Sequence, residues 1–403
     1  MRAMIKALRD TLFLLLVISL SNCATKHGQQ LTKMEDKYVD LGFASSPRCD
    51  GTFFNRLTGE QMYYYSNIFT TKCVKIFDSN FQLKATIPLN DFPDRQNIRW
   101  IQVIAQDTVA ILCYRGIDVV YVCDFSGKIT RTIDTHGMKE GDMHFETPMA
   151  SGTSLYHDSK LYLKYALNKS KLYHSHDQNY ETYKKSDSML MDCPYMVSID
   201  LFTNDSAQVF NKLFYNIYKE NYEYGDAIYD DGGYHFIAND KLFMFIGHNG
   251  KLYIVDLQTQ QIEKIITLES DHTKIGYSMK PYRYTPDSYT EHKGKQHSFL
   301  WYNASNITSI AWDRHKKQYY ISIQHLFPIP FEHTDSWWSK RKSQTYSILV
   351  LDENFEKKGE AIMPLIGSIK VHPRGILIEN TMSNTDKEYD KNVKKYTLFA
   401  IGD

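Results

Sequence analysis

The chain has 403 residues, and its 47 lysines and arginines balance its 47 aspartates and glutamates to a formal net charge of 0. Such a near-neutral chain lacks the basic excess that neutralises phosphates, so we expect no nucleic-acid partner. The length is ample for a large hydrophobic core and on its own would allow two domains.

The first 22 residues have the pattern of a cleaved secretory signal. Arg2, Lys6 and Arg9 form a basic start, and Leu12–Leu20 is an apolar run interrupted only by Ser19. This run is too short to span a bilayer, which needs about 20 apolar residues. It has the length expected of the apolar part of a signal peptide, so the sequence predicts an exported protein.

The signal ends at a cysteine in a context that resembles the bacterial lipobox, Leu20-Ser-Asn-Cys23. The resemblance implies a signal peptide of residues 1–22, a diacylglycerol on Cys23 and a tether of residues 23–36. Asn22 departs from the usual Gly or Ala before the cysteine, and an ordinary signal peptide with a chance cysteine is the alternative. Cleavage removes three basic residues and one acid, which leaves a net charge of −2.

The residues after Cys23 indicate to which membrane a lipoprotein would be sent. Ala24-Thr-Lys-His follows, with no aspartate next to the cysteine to retain the protein in the inner membrane. No acidic run resembles the surface-export signal of Bacteroidetes. We therefore expect attachment to the outer membrane facing the periplasm, with the cell surface as the alternative.

Five cysteines remain, an odd number without Cys-x-x-Cys spacing, and this pattern argues against a disulfide framework or a zinc site. Cys113 and Cys123 flank a predicted hairpin, so a disulfide between them is one interpretation. Buried free thiols are common in strands, and that is the other.

From residue 37 onward the chain repeats one unit, a strand that ends in Asp, a short polar turn and a second strand. One copy runs through Lys251–Asp256 and then Ile262–Leu268. The strands of the other copies end at Asp78, Asp124, Asp200 and Asp352, and a shortened copy lies at Tyr396–Ile401. Further strand pairs with apolar alternation precede the copies.

Six such units predict an all-β fold, a six-bladed β-propeller with loop insertions spanning residues 37–403. The spacings between successive aspartates are 46, 76, 56 and 96 residues, and the shortest matches one four-stranded blade. Strand-like segments at Tyr38–Phe43 and Tyr396–Ile401 are expected to pair and close the ring. Two packed β-sheets with ordinary hairpins are the alternative fold.

The unit Gly250-Lys-Leu-Tyr-Ile-Val-Asp-Leu resembles blades of NHL and TolB-like propellers. Together with the lipobox, the chain resembles six-bladed propeller lipoproteins of unknown function from Bacteroidetes. The segments Ile307–Tyr320 and Gly137–Phe145 resemble parts of blades in those proteins. This resemblance implies a fold, and it implies no catalytic residues.

The usual catalytic patterns are missing from the sequence, including Gly-x-Ser-x-Gly, His-Glu-x-x-His and phosphate-binding glycine loops. We therefore predict no catalytic residues, no metal and no cofactor. The recurrent aspartates are interpreted as caps that accept hydrogen bonds from turn N–H groups. His174 and His176 would share one face of a strand, but no further ligand is placed beside them.

Two long insertions, Tyr277–Trp301 and Phe327–Lys342, are rich in aromatic residues. Rings beside arginine can stack on sugars or peptide side chains, and loops on a rigid scaffold often carry binding sites. The predicted ligand-binding residues are Tyr282, Arg283, Tyr284, Trp301, Trp337 and Trp338. Because two strands separate the insertions, both should leave the same face of the domain. The alternative is that these rings pack the loops onto their own scaffold.

The sequence thus favours a lipid-anchored envelope protein that binds a glycan, a peptide or a partner protein through one propeller face without catalysis. A propeller hydrolase or lyase with a site in the central channel is one alternative. A structural or assembly lipoprotein is the other.

Overall fold

The computed structural model describes residues 30–402 with gaps at 45–49, 69, 91, 93–97, 106, 114–118, 136–143, 147–154, 167–195, 204–207, 211–233, 246–249, 276–304, 326–343, 365–366 and 381–389. Within this part, 25 β-strands form six antiparallel sheets arranged as the blades of a ring. The prediction of an all-β, six-bladed propeller is confirmed. No helix among the described residues has the length and apolar character needed to cross a membrane.

The blades follow one another along the chain, and each begins with its innermost strand. Blade 1 contains β2 (Gly51–Asn55), β3 (Glu60–Asn67), β4 (Cys73–Phe77) and β5 (Leu83–Pro88). Blade 2 contains β6 (Ile98–Ala105), β7 (Thr108–Cys113), β8 (Val119–Cys123) and β9 (Ile129–Asp134). Blade 3 contains β10 (His144–Glu146), β11 (Tyr156–His157), β12 (Lys160–Ala166), β13 (Met196–Asp200) and β14 (Gln208–Phe210).

The second half of the ring repeats this order. Blade 4 contains β15 (Tyr234–Ala238), β16 (Lys241–Phe245), β17 (Lys251–Asp256) and β18 (Ile262–Thr267). Blade 5 contains β19 (Asn306–Asp313), β20 (Gln318–Gln324), β21 (Tyr346–Asp352) and β22 (Lys357–Ile362). Blade 6 contains β23 (Ile369–His372), β24 (Gly375–Glu379), β25 (Val393–Ile401) and, as its outermost strand, β1 (Leu31–Asp40).

The core lies in the seams between neighbouring blades. Middle strands such as β16 and β17 are buried over almost their whole length, because both of their faces pack against adjacent sheets. The seam between blades 4 and 5, for example, joins Phe245 and Ile254 to Ile321. The outermost strand β18 is half exposed and keeps its charged side chains in solvent. Runs of β-branched and aromatic residues therefore mark the middle strands.

The ring closes by pairing the beginning of the described chain with its end. β1 runs antiparallel to β25, with Tyr38 opposite Lys395 and Leu31 opposite Ile401. The expected pairing of early and late strands is confirmed. β1 begins at Leu31, so it includes residues 31–36, which the sequence had assigned to the tether. The seam behind this closure is aromatic, and Phe81 stacks on Tyr396 at 5.7 Å between ring centroids.

The recurrent aspartates cap their turns as the sequence predicted. In the unit after β8, the Asp124 carboxylate accepts hydrogen bonds from the N–H groups of Ser126 and Lys128 at 2.9 and 3.1 Å. Gly127 then takes a left-handed conformation with a φ of 84°. Hydrogen bonds from the Ser126 side chain and the turn N–H groups lower the pKa of Asp124. Matching bonds are made by Asp78, Asp200, Asp256 and Asp352.

The cysteine alternatives are also resolved. In the ladder between β7 and β8, Cys113 lies opposite Val119 and Cys123 lies opposite Val109. The two cysteines thus sit four residues apart along the strands, roughly 13 Å, which is beyond the reach of a disulfide. Both are buried free thiols, and burial raises the pKa of Cys123 to about 12.

Candidate functional site

The propeller has two faces with different character. The first and third strands of each blade end on one face of the ring, which we call the turn face. Asn55, Asp78, Asp240 and Asp256 lie on it. The opposite ends of the strands form the loop face. In blade 5, Asn306 pairs with Gln324, and Gln324 pairs with Tyr346, all at the loop face.

This register shows where the two aromatic insertions leave the domain. Asp313 pairs with Gln318, so the connection between β19 and β20 is a hairpin. The described strand ends that flank the insertions Tyr277–Trp301 and Phe327–Lys342 therefore lie next to each other on the loop face, as expected. The predicted binding residues Tyr282, Arg283, Tyr284, Trp301, Trp337 and Trp338 lie outside the described residues. Their role as ligand contacts stays a prediction.

A recess of about 520 Å³ opens at the mouth of the central channel on the turn face. Its walls are the ends of the innermost strands and the short turns that follow them, with residues from all six blades. Two of these turns contain only two residues, Asp158–Ser159 and Asn239–Asp240, all with positive φ. Two-residue turns of this type fit the twist of a hairpin. They add little chain above the mouth and leave it open.

The charges around the mouth are segregated. Asp107, Asp158 and Asp240 belong to blades 2, 3 and 4, and we call them the acidic arc. Arg314 and Arg56 belong to blades 5 and 1, and we call them the basic arc. Because the blades follow in ring order, the two arcs occupy opposite sides of the mouth. All five side chains are exposed to solvent.

These charges have few partners among the described residues. The Arg314 guanidinium lies 4.1 Å from the centroid of the Phe54 ring of blade 1, so the two side chains meet beside the intervening blade 6. Asp240 pairs with Nδ1 of His157 at 3.2 Å, and the Asp107 carboxylate accepts the Phe125 N–H at 3.0 Å. Within the described part of the chain, Arg56, Arg314 and Asp158 form no ion pair. The arcs are thus available to a charged ligand.

The inner wall of the recess combines aromatic and amide groups. The Phe54 and Trp312 side chains are half-buried there, and Trp312 packs on Tyr319 at 4.4 Å between ring centroids. Below them, Gln102 is buried and its side-chain oxygen accepts the Leu155 N–H at 3.0 Å. Apolar walls with a few fixed polar groups are typical of small-ligand sites.

A second cluster of ionisable groups is enclosed in the seam between blades 6 and 1. Burial raises the pKa of Asp50 to about 6, and burial lowers the pKa of Lys370. The Lys370 ammonium has no hydrogen-bond partner among the described residues and lies 5.1 Å from the centroid of the Tyr65 ring. The Tyr65 hydroxyl donates to Tyr396 at 3.0 Å. These side chains are almost fully buried, so the cluster belongs to the closure of the ring.

A third cluster lies beneath the roots of the two insertions. Glu360 is buried and accepts hydrogen bonds from the Ser270 hydroxyl and the Asp271 N–H, both at 2.7 Å. Its burial opposes ionisation, but the bonds from the Ser347 and Ser270 hydroxyls lower its pKa overall. The rings of His272 and His325 stack at 6.1 Å. These contacts fix the strand ends from which both insertions leave.

Sequence reasoning found the loop-face insertions but missed the recess on the opposite face. The available signal was a charged residue in the first hairpin turn of successive blades, as at Arg56, Asp107 and Asp158. Among the described residues, no group of three His, Cys, Asp or Glu side chains is arranged to hold a metal.

One comparison with a solved structure supports the fold. A solved member of the DUF4221 family from Bacteroides vulgatus superimposes with a TM-score of 0.64 at 18% identity, covering 94% of this chain and 99% of that one. A chain of the mitotic checkpoint complex gives 0.42 at 10% identity, covering 92% and 93%. Virginiamycin B lyase from Staphylococcus aureus gives 0.38 at 8% identity, covering 90% and 99%.

No protein-family model matches the sequence, and no curated protein matches it. The expected resemblance to Bacteroidetes propellers of unknown function is confirmed by the Bacteroides structure, and at this identity the likeness shows a common fold.

Proposed function

We propose that this protein is a lipid-anchored envelope protein that binds a small polar ligand in the recess at the channel mouth without transforming it. The ligand is a glycan, a peptide or a short segment of a partner protein. The observation that carries the proposal is the open recess of about 520 Å³, which is ringed by charges largely without ion-pair partners in the described structure. A recess of this volume falls within the range of small-ligand sites.

The distribution of perturbed ionisable groups supports binding over catalysis. Catalytic acids and bases are usually shifted in pKa and reachable by substrate. Burial raises the pKa of Asp50 to about 6 and lowers the pKa of Lys370, but both side chains are almost fully buried at the seam between blades 6 and 1. Lys370 lies on the innermost strand that borders the recess, and only 3% of its surface is exposed there. A substrate in the recess would meet the exposed carboxylates and guanidinium groups of the two arcs instead. Such groups recognise charge and hydrogen-bonding pattern.

A screen tests the binding proposal. Amino acids, short peptides, monosaccharides and disaccharides are added to the mature chain, and its melting temperature is recorded. We expect at least one compound to raise the melting temperature saturably and to be recovered chemically unchanged. Ala105 is exposed in the recess wall, so Ala105→Trp should fill the site without removing a charge and abolish the shift. Conversion of the compound during incubation would contradict noncatalytic binding.

The position of β1 supports an orientation for the anchored protein. Leu31 lies opposite Ile401 at the turn face, and Gln30 accepts a hydrogen bond from the Gly402 N–H there at 3.1 Å. Cys23 precedes Leu31 by eight residues, which span at most about 30 Å when fully extended. A lipid on Cys23 would therefore hold the turn face towards the outer membrane and leave the loop face directed into the periplasm.

The lipid anchor is tested by metabolic labelling with a fatty acid. The wild type should be labelled and sediment with membranes, whereas Cys23→Ser should lose both properties, because the thioether sulfur is gone. Protease added to intact cells should spare the wild type, since the proposed location is periplasmic. Equal labelling of the two proteins would contradict the anchor, and rapid digestion would place the protein on the cell surface.

A further inference from the structure

We propose that the recess is specific for a zwitterionic ligand, a short peptide whose free amino group faces the acidic arc and whose free carboxylate faces the basic arc. This inference rests on the proposed function, and it names the ligand class of the same site. Nothing in the fold requires such an arrangement, because exposed hairpin turns tolerate most polar residues.

The first step is the order of charge around the ring. The three acidic turns occupy consecutive blades, since Asp107, Asp158 and Asp240 follow the innermost strands of blades 2, 3 and 4. Arg314 and Arg56 flank blade 6, whose own turn carries Arg374. Arg374 is paired with Glu35 and does not line the recess. The mouth is thus divided into a negative half and a positive half, and a neutral or singly charged ligand would use only part of it.

The second step is the availability and geometry of the cationic groups. The Arg314 guanidinium lies over the flat face of the Phe54 ring. This contact orients the planar guanidinium group and leaves its N–H groups free to donate hydrogen bonds to a ligand. A guanidinium fork matches the two oxygens of a carboxylate. The Phe54 ring is half-buried in the recess wall and offers an apolar contact for a peptide side chain. The basic half is therefore suited to a carboxylate rather than to a neutral hydroxyl group.

The third step concerns the acidic half. Among the described residues, Asp158 forms no ion pair, and the Asp240 carboxylate pairs only with the half-buried His157 ring. Three carboxylates around one sector attract an ammonium group and repel an anion. A short peptide places these two charged ends apart, since each residue adds about 3.5 Å of extended length. An extended tripeptide thus separates its two charges by roughly 10 Å, whereas a single amino acid holds both charges close together.

The test uses trialanine as the probe in three forms, namely unblocked, N-acetylated and C-amidated, with binding measured by isothermal titration calorimetry on the mature Cys23→Ser chain. We expect the unblocked peptide to bind at least tenfold more tightly than either blocked form. The variant Asp107→Asn/Asp158→Asn/Asp240→Asn should lose discrimination against N-acetylation. The variant Arg56→Gln/Arg314→Gln should lose discrimination against C-amidation.

Matched controls neutralise charges on the same face outside the recess. Arg374→Gln and Asp256→Asn should keep the preference of the wild type for the unblocked peptide. All of the substituted side chains in the arcs are exposed, so the fold should melt normally, and asparagine at position 107 can still accept the Phe125 N–H.

Two outcomes overturn the inference. One is equal affinity of the three peptide forms, and the other is no saturable binding of unblocked trialanine up to about 10 mM. If either occurs while another compound still gives a shift that Ala105→Trp abolishes, the proposed function stands and the zwitterion assignment fails. If no compound gives such a shift, the proposed function itself fails.

Discussion

Deletion of residues 394–403 is expected to unfold the whole domain rather than to loosen one edge of it. β25 is a middle strand of blade 6, paired with β24 on one side and with β1 on the other. Its Tyr396 and Leu398 are fully buried in the seam with blade 1. Truncating one large buried side chain costs about 2–5 kcal/mol, and a whole domain is stable by only about 5–15 kcal/mol. Circular dichroism should show no cooperative melting transition.

The matched control removes only residues 402–403, which follow the last residue of β25. That protein should melt within a few degrees of the wild type. A melting temperature for the longer deletion equal to that of the wild type would contradict closure of the ring through β25.

The second large effect concerns Asp50. Its pKa is about 6 in the folded protein, against about 4 in an unfolded chain, because burial penalises the charged form. The folded state therefore binds the proton more tightly, and stability falls as pH rises from 4 to 6. An asparagine at this position cannot ionise but can still accept the Ser66 N–H, as the Asp50 carboxyl does at 3.0 Å. Above pH 7, Asp50→Asn should be more stable than the wild type by about 3 kcal/mol.

Urea denaturation at several pH values measures this difference, which should shrink as the pH falls from 6 to 4. Asp124→Asn provides a control of opposite sign. The pKa of Asp124 is lowered by its turn hydrogen bonds, so its ionised form adds stability above pH 4 that is lost on acidification. A stability gain for Asp50→Asn that is the same at pH 4 and pH 7.5 would show that titration of Asp50 is not its cause.

The fold was accessible from sequence because its determinants are local. Each unit is marked by a strand of β-branched and aromatic residues, an aspartate and a short turn, as at Lys251–Asp256. The aspartates could be assigned as caps because an Asx turn needs only neighbouring N–H groups. Strand parity was enough to place the roots of the two aromatic insertions on one face. The start of β1 at Leu31 was not predicted, because β1 is an outermost strand. Its residues Leu31–Tyr38 include none that is fully buried, so they lack the apolar pattern that marks the middle strands.

The recess was not accessible in the same way, because its residues are far apart in the chain. Arg56 and Arg314 each lie in an ordinary hairpin turn, and their common surface exists only once the ring is closed. The seam cluster has the same origin, since Asp50 and Lys370 meet across the junction between the first and last blades. Aromatic composition pointed instead to Trp337 and Trp338, in an insertion whose flanking strand ends, Gln324 and Tyr346, lie on the face opposite the recess.

The central claim is that ligand binds at the channel mouth on the turn face, and one comparison tests it most directly. The affinity of a compound found in the screen is measured for the wild type, for Ala105→Trp and for the double variant Trp337→Ala/Trp338→Ala, with melting temperatures recorded for all three. We predict that Ala105→Trp abolishes binding and that the tryptophan variant binds like the wild type. Loss of binding in the tryptophan variant, with unchanged affinity in Ala105→Trp and normal melting of both, would place the site on the loop face and contradict the account.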